Sequence, residues 1–174
     1  MKMQFTYNIF LIGFMGSGKS TVADYLCEKF DMDVVEMDQV IAERERMSIS
    51  DIFEKHGELY FRDLETKLLV ELQEKTNTVV SCGGGVALRE CNVTEMKKNG
   101  KVVLLTAKPE TILERVKNNH DRPLLENNKT VAYIAELMEK RREKYEAAAD
   151  MIIETDGKSA QKICEEMIQR LGEQ

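Results

Sequence analysis

The sequence predicts an α/β fold of three layers, α/β/α, with a five-stranded parallel sheet between helices. Three observations predict it. Short runs rich in β-branched residues alternate with longer amphipathic stretches along the chain, the order from which parallel sheets are built. The run Ile9, Phe10, Leu11, Ile12 is apolar without alternation, as in a strand covered on both faces. The octapeptide at residues 13–20, GFMGSGKS, fills every fixed position of the phosphate-binding pattern G-x-x-x-x-G-K-[ST]. It stands between the first such run and the first helical stretch, the setting the motif requires.

The elements follow in order. Residues 7–12 form the first strand. In the loop, Gly13, Gly16 and Gly18 permit positive φ and let phosphate oxygens approach a nest of backbone N–H groups. A helix starts near Lys19, with Val22, Ala23, Leu26 and Phe30 at helical spacing. Residues 33–37 read as the second strand and 38–46 as a short helix with Val40 and Ile41 inward. Another helical stretch opens at 47–50, with Ser50 as the N-cap of residues 51–55. Residues 58–74 carry apolar side chains at 59, 60, 64, 68, 69 and 72, an amphipathic helix. Residues 78–81 form the third strand, ending at Gly83, Gly84 and Gly85. Residues 101–106 form the fourth, and Pro109 suits the first turn of a helix running through residue 116. The polar stretch at 117–129, KNNHDRPLLENNK, is a connection long enough to read as a lid. A long charged helix at 129–149, a strand at 151–153 and a helix at 159–171 complete the chain.

At 174 residues the chain reads as one domain, 1–174, and 43% hydrophobic with 32% charged residues marks it as globular. Its net charge of −6 argues against general nucleic-acid binding, so anionic ligands must be held by locally placed arginines and lysines. Cys27, Cys82, Cys91 and Cys164 match no zinc or redox spacing. They read as reduced thiols of a cytoplasmic protein. No leader is legible at the N-terminus, and no apolar run is long enough to cross a bilayer. His56 and His120 read as solvated.

Ligands of a parallel sheet bind at the C-terminal ends of its strands, so the residues after each strand are the site candidates. In the loop, Gly13, Gly16, Ser17, Gly18, Lys19, Ser20 and Thr21 cradle nucleotide phosphates. Lys19 brings charge to the β- and γ-phosphates, and the Ser20 hydroxyl suits Mg²⁺. Asp38 follows strand two. It reads equally as a group that orients or deprotonates a hydroxyl attacking the γ-phosphorus and as a cap of its own helix. The triple glycine reads as a platform for a substrate or as a tight turn. Ser81, just before it, can join the metal's water shell. Arg122 in the lid can close over a transferred phosphoryl group. Arg62 has Glu65 three residues on, placed to hold its guanidinium. Arg141 lies in the run KRREK, which spacing alone leaves on a solvated face.

Taken together these residues resemble the shikimate kinase family, over nearly the whole chain. The motifs come in order: GFMGSGKS, Asp38, Phe61-Arg62-x-x-Glu65, the triple glycine, Arg122-Pro123-Leu124-Leu125, and Arg141 four residues before Tyr145. The resemblance implies a P-loop kinase fold with a five-stranded parallel sheet and a mobile lid. It implies an enzyme that uses ATP and Mg²⁺ to phosphorylate the 3-hydroxyl of shikimate, acting as a monomer without nucleic-acid or membrane partners. Lys19, Asp38 and Arg122 are then the catalytic residues. Asp38 contacts the substrate hydroxyls, Arg62 and Arg141 bind its carboxylate, and Gly83, Gly84 and Gly85 line the pocket. Substrate-binding helices span about 38–76, with Ile49, Phe53, Phe61 and Pro123 around the ring. Arg115 stacks on adenine, and Lys158 lines the same side. One departure stands out: the family commonly has Asp-x-Asp where this chain has Glu36-Met37-Asp38, so Glu36 and Ser81 address the metal through water. The rival readings are a gluconate or nucleoside monophosphate kinase on the same scaffold, and a nucleotide-dependent switch with no acceptor.

Overall fold

The computed structural model describes residues 4–117 and 130–172. In chain order the elements are β1 (Asn8–Ile12), α1 (Lys19–Phe30), β2 (Asp33–Glu36), α2 (Met37–Glu45), α3 (Ile49–His56), α4 (Glu58–Leu72) and β3 (Thr78–Ser81). A 3₁₀ turn (Val86–Leu88) leads to α5 (Glu90–Lys98), β4 (Gly100–Thr106), α6 (Pro109–Val116), α7 (Val131–Ala148), β5 (Met151–Glu154) and α8 (Ala160–Gly172).

The strands pair in the order β2-β3-β1-β4-β5, every pairing parallel. Strand β1 is central, with Ile9 opposite Val79 on one side and Lys101 on the other. All five of its residues are buried, as its unbroken apolar run requires. Ile9 and Leu11 pack with Val22, Ala23 and Leu26 of α1 and Met167 of α8. Phe10 and Ile12 turn the other way, onto Leu69 and Leu72 of α4, Met96 of α5 and Ile112 of α6. One strand thus feeds two cores, because successive side chains alternate faces.

That alternation also positions the site. The helix after β1 covers one face of the sheet, and the helix after β3 covers the other. The two adjacent strand ends therefore part above the sheet and leave a crevice, where ligands of such folds bind. The phosphate loop and the triple glycine form its two walls.

Two departures from the predicted elements stand out. The N-cap of α3 is Ser48, whose Oγ accepts from Asp51 N at 3.1 Å, and not Ser50, which lies inside the helix. Helix α5 has no counterpart among the predicted elements. Its inward face carries Asn92 beside Met96, and the one buried amide breaks the apolar periodicity that would reveal it. Asn92 is satisfied: its Nδ2 donates to Val86 O at 2.9 Å, and its Oδ1 accepts from Thr66 Oγ1 at 2.7 Å. The four cysteines are free thiols, as expected.

Gly100 opens β4 directly under the Phe10 ring. A Cβ there would run into the ring and lie 2.9 Å from Met96 O. Gly100→Ala is therefore expected to destabilise the fold by about 1–3 kcal/mol through overpacking. Urea denaturation should show a lower midpoint with an unchanged slope.

Candidate active site

The phosphate loop has the backbone its glycines allow. Gly13, Gly16 and Gly18 hold φ of 148°, 81° and 104°. At Gly13 a Cβ would meet Leu105 O at 2.5 Å, so side-chain absence is required twice there, for conformation and for space. Gly18 caps α1 without a side chain, leaving the first-turn N–H groups directed at an incoming anion. Lys19 is buried and folds back over the loop, donating to Gly13 O at 2.8 Å and Phe14 O at 3.1 Å. Ser17 Oγ is buried, with no hydrogen-bond partner among the described residues. Thr21 is exposed on the first turn of α1.

Ser20 Oγ donates to Glu36 Oε2 at 3.0 Å. Burial holds the Glu36 carboxyl above its ordinary pKa; the Ser20 and Ser81 hydroxyls pull it back, and Asp24 and Asp38 push it up again. This is an excess of negative charge framed by hard oxygen donors, which suits a small divalent cation. Among the described residues no group of three or more His, Cys, Asp or Glu forms a complete cage. A Mg²⁺ here would rely on phosphate and water for its remaining ligands, as that ion usually does. Met15, Lys19, Ser20, Glu36, Asp38, Ser81, Cys82, Gly83 and Gly84 line one polar cavity of about 50 Å³.

The triple glycine makes room for the site, and it does so without positive φ, which none of the three adopts. A Cβ on Gly83 would lie 2.6 Å from Glu65 Oε2 and 2.9 Å from Asp38 Oδ1. One on Gly84 would lie 3.3 Å from an Arg141 guanidinium nitrogen, and one on Gly85 would sit inside the Arg62 guanidinium. Three successive residues thus each admit a different charged side chain. Asp38 is carried there by the first turn of α2.

Arg62 leaves α4 beside Phe53 and Phe61, its guanidinium carbon 5.9 and 5.4 Å from their ring centres. The two rings tilt against each other at 5.1 Å. Glu65 Oε1 accepts from Arg62 at 2.8 Å, and Glu58 Oε2 accepts from its Nε and a terminal nitrogen at 3.2 Å each. Burial opposes the Arg62 charge, but Glu65 and Glu58 outweigh it, so the pKa of Arg62 rises. Glu65 has no exposed surface, and burial pushes its carboxyl up to about 7 despite the Arg62 charge; Asp38 adds to the rise.

Arg141 does not stay on the solvated face that its charge run suggested. It is 8% exposed and lies over the Phe14 ring at 5.5 Å. It donates to Gly84 O at 3.4 Å and to the Tyr145 hydroxyl at 3.3 Å, while that hydroxyl donates to Gly84 O at 2.6 Å. Burial raises the pKa of Tyr145 and keeps this donor protonated. Tyr145 and Glu58 are supports that the sequence reading assigned no role. Their spacing of four from Arg141 and Arg62 was the available signal.

The remaining candidates are more dispersed. Arg115 donates to Gly16 O at 2.9 Å and approaches Thr155 Oγ1 at 3.5 Å, between the phosphate loop and the turn after β5. Lys158, in that turn, is held by Glu166 of α8 at 2.8 Å. Ile49 is buried in the core beside the half-buried Phe53. The segment expected to act as a lid, 117–129, lies outside the described residues apart from Lys117, and with it His120, Arg122 and Pro123. A larger cavity of about 390 Å³ lies between α7 and the ends of β4 and β5, reached by Phe14 and Tyr145. It is mostly apolar, and Arg142 on its rim is bound by Glu139 and Glu146, so the smaller polar cavity is where charge chemistry can occur.

Comparison with known proteins follows the same lines. The family model for shikimate kinase matches residues 15–172. The chain is 46% identical over 164 residues to the shikimate kinase of Persephonella marina, covering 94% of this chain and 98% of that protein. It superposes on the shikimate kinase from Acinetobacter baumannii in complex with shikimate with a TM-score of 0.90 and 33% identity, covering 95% and 92% of the two chains. A gluconokinase from Sinorhizobium meliloti, at 18% identity and a TM-score of 0.61, shares the fold.

Glu65 generates a stability prediction. Its native pKa is raised from 4.5 to about 7, so between those values the folded state holds a proton that the unfolded state has lost. Its contribution to stability therefore falls as pH rises through that window and is level above it. Urea denaturation at about pH 5 and about pH 8 should show the wild type losing stability relative to Glu65→Gln. Parallel pH slopes in the two proteins would refute this.

Proposed function

The chain belongs to the shikimate kinase family, and on that premise we propose how its site moves a phosphoryl group from ATP to the 3-hydroxyl of shikimate. The carrying observation is the convergence of Arg62, Arg141 and Asp38 on three consecutive glycines that share a crevice with the Lys19 loop.

Shikimate is a cyclohexene acid with three hydroxyls. Its planar carboxylate matches guanidinium forks, and Arg62 and Arg141 are the groups that receive it. Each such charge-assisted bond is worth about 1.5–3 kcal/mol. The ring lies against Phe53 and Phe61. Asp38, facing Gly83, orients the attacking hydroxyl and accepts its proton. Lys19 leaves its carbonyl partners to meet the β- and γ-phosphates, and the N–H groups of the loop hold the remaining phosphate oxygens. Arg122, assigned from the sequence, adds positive charge to the transferred group, and Arg115 takes the adenine side with Lys158. When bound at Ser20, with Glu36 and Ser81 on its water shell, Mg²⁺ neutralises charge on the β- and γ-phosphates. The longer Glu36 serves in place of an aspartate because its carboxylate already reaches the Ser20 hydroxyl. The free thiols suit a reducing compartment, and we assign the reaction to the cytoplasm.

Two results test the assignments. Arg62→Leu and Arg141→Leu should each raise the shikimate KM by roughly tenfold or more while ATP KM stays within about twofold. An unchanged shikimate KM in both would remove the carboxylate clamp. Asp38→Asn should bind both substrates comparably and turn over at least about 100-fold more slowly, measured by coupled ADP release. Near-normal turnover would take Asp38 out of the mechanism.

A further inference from the structure

We propose that Glu65 takes up a proton when the carboxylate of the substrate docks on Arg62, so that acid recognition and proton binding are one coupled event. The proposal rests on the shikimate reading above and deepens it.

The argument is one of charge and space. Arg62 already carries two carboxylates, Glu65 on one terminal nitrogen and Glu58 on the opposite edge of its guanidinium. A docking carboxylate is a third anion on one cation. Glu58 is 54% exposed and can turn into water; Glu65 is 0% exposed and cannot. The second oxygen of Glu65, Oε2, is buried with no hydrogen-bond partner among the described residues. It lies across Gly83 from Asp38 Oδ1. The other groups facing Glu65 are Arg89 before α5 and the Cys82 thiol after β3, which burial keeps protonated. Arg62 is the cation that hydrogen-bonds Glu65, with Arg89 adding a weaker pull and Asp38 an opposing push.

An anion that engages Arg62 weakens its hold on Glu65 and adds repulsion. Both effects favour the neutral carboxyl, which already titrates at about 7. The step is a simple protonation: Oε2 gains a proton from solvent, and Oε1 still accepts from Arg62. Incoming negative charge is thus matched by incoming positive charge, and the buried site keeps its net charge. A neutral analogue lacking the carboxylate triggers no uptake, so the coupling discriminates in favour of acids.

Calorimetric titration of the full chain with shikimate at about pH 8, in buffers of different ionisation enthalpy, reads the proton count directly. Uptake of about 0.3 to 1 proton per shikimate is expected. The dissociation constant should rise as pH increases from about 7 to about 9, by at most tenfold per pH unit. In Glu65→Gln, whose amide oxygen can still accept from Arg62, both effects should vanish. A role confined to holding Arg62 would weaken binding without touching its pH dependence. As a check on the wild type alone, infrared difference spectra should gain a protonated-carboxyl band on shikimate binding. Buffer-independent enthalpy, no such band, or uptake that survives in Glu65→Gln overturns the proposal. Failure of the wild type to bind shikimate would instead overturn the functional reading beneath it.

Discussion

The site depends on how closely the backbone after β3 can approach charged side chains carried by other elements. At residues 83–85 three β-carbons are missing, and the volume they would fill belongs to Asp38, Glu65, Arg141 and Arg62. A side chain at any of the three would displace a charged group from the crevice or force the backbone away from the phosphate loop, whose Met15 N lies 3.7 Å from the β-position of Gly84. Glycine carries an entropic cost on folding, and three in sequence triple it. The fold accepts that cost because the acceptor and the nucleotide must meet at atomic contact.

The crevice gathers cations among its acids. A chain of net charge −6 collects Lys19, Arg62 and Arg141 around one small volume and buries them to a large extent. Burial of a cation is tolerable only with partners. Each cation therefore comes with its own: loop carbonyls for Lys19, two glutamates for Arg62, Gly84 O and Tyr145 for Arg141. The partners keep the cations in place, and an anionic ligand has only to exchange with them. Glu65 is the exception, since a fully buried carboxylate has no water to retreat to.

The sheet supplies the frame. Strand β1 is buried on both faces and ends at the phosphate loop, so the loop is anchored in both cores at once. The helices after β1 and β3 diverge to opposite faces, and the crevice opens where they part. The N-terminus of α1 then points its unsatisfied N–H groups into that crevice.

Local patterns in the sequence determined the element order, the parallel sheet and the phosphate loop, because apolar periodicity and the glycine spacing are properties of neighbouring residues. They also singled out Asp38, Arg62 and the triple glycine as candidates. Asn92 concealed α5, since a buried amide satisfied by Val86 and Thr66 looks polar until its partners are known. Ser48 rather than Ser50 caps α3, a choice that turns on backbone geometry two residues apart. Arg141 read as one more member of a charged helix face; only the packing of α7 against the turn after β3, over Phe14, made it a buried guanidinium. Tertiary structure likewise decided that the glycines, which do turn the chain with Val86 N donating to Gly83 O at 3.2 Å, also serve close approach, and that Glu65 is wholly enclosed. These are facts about residues distant in the chain, and the contacts that decide them exist only after the chain has folded.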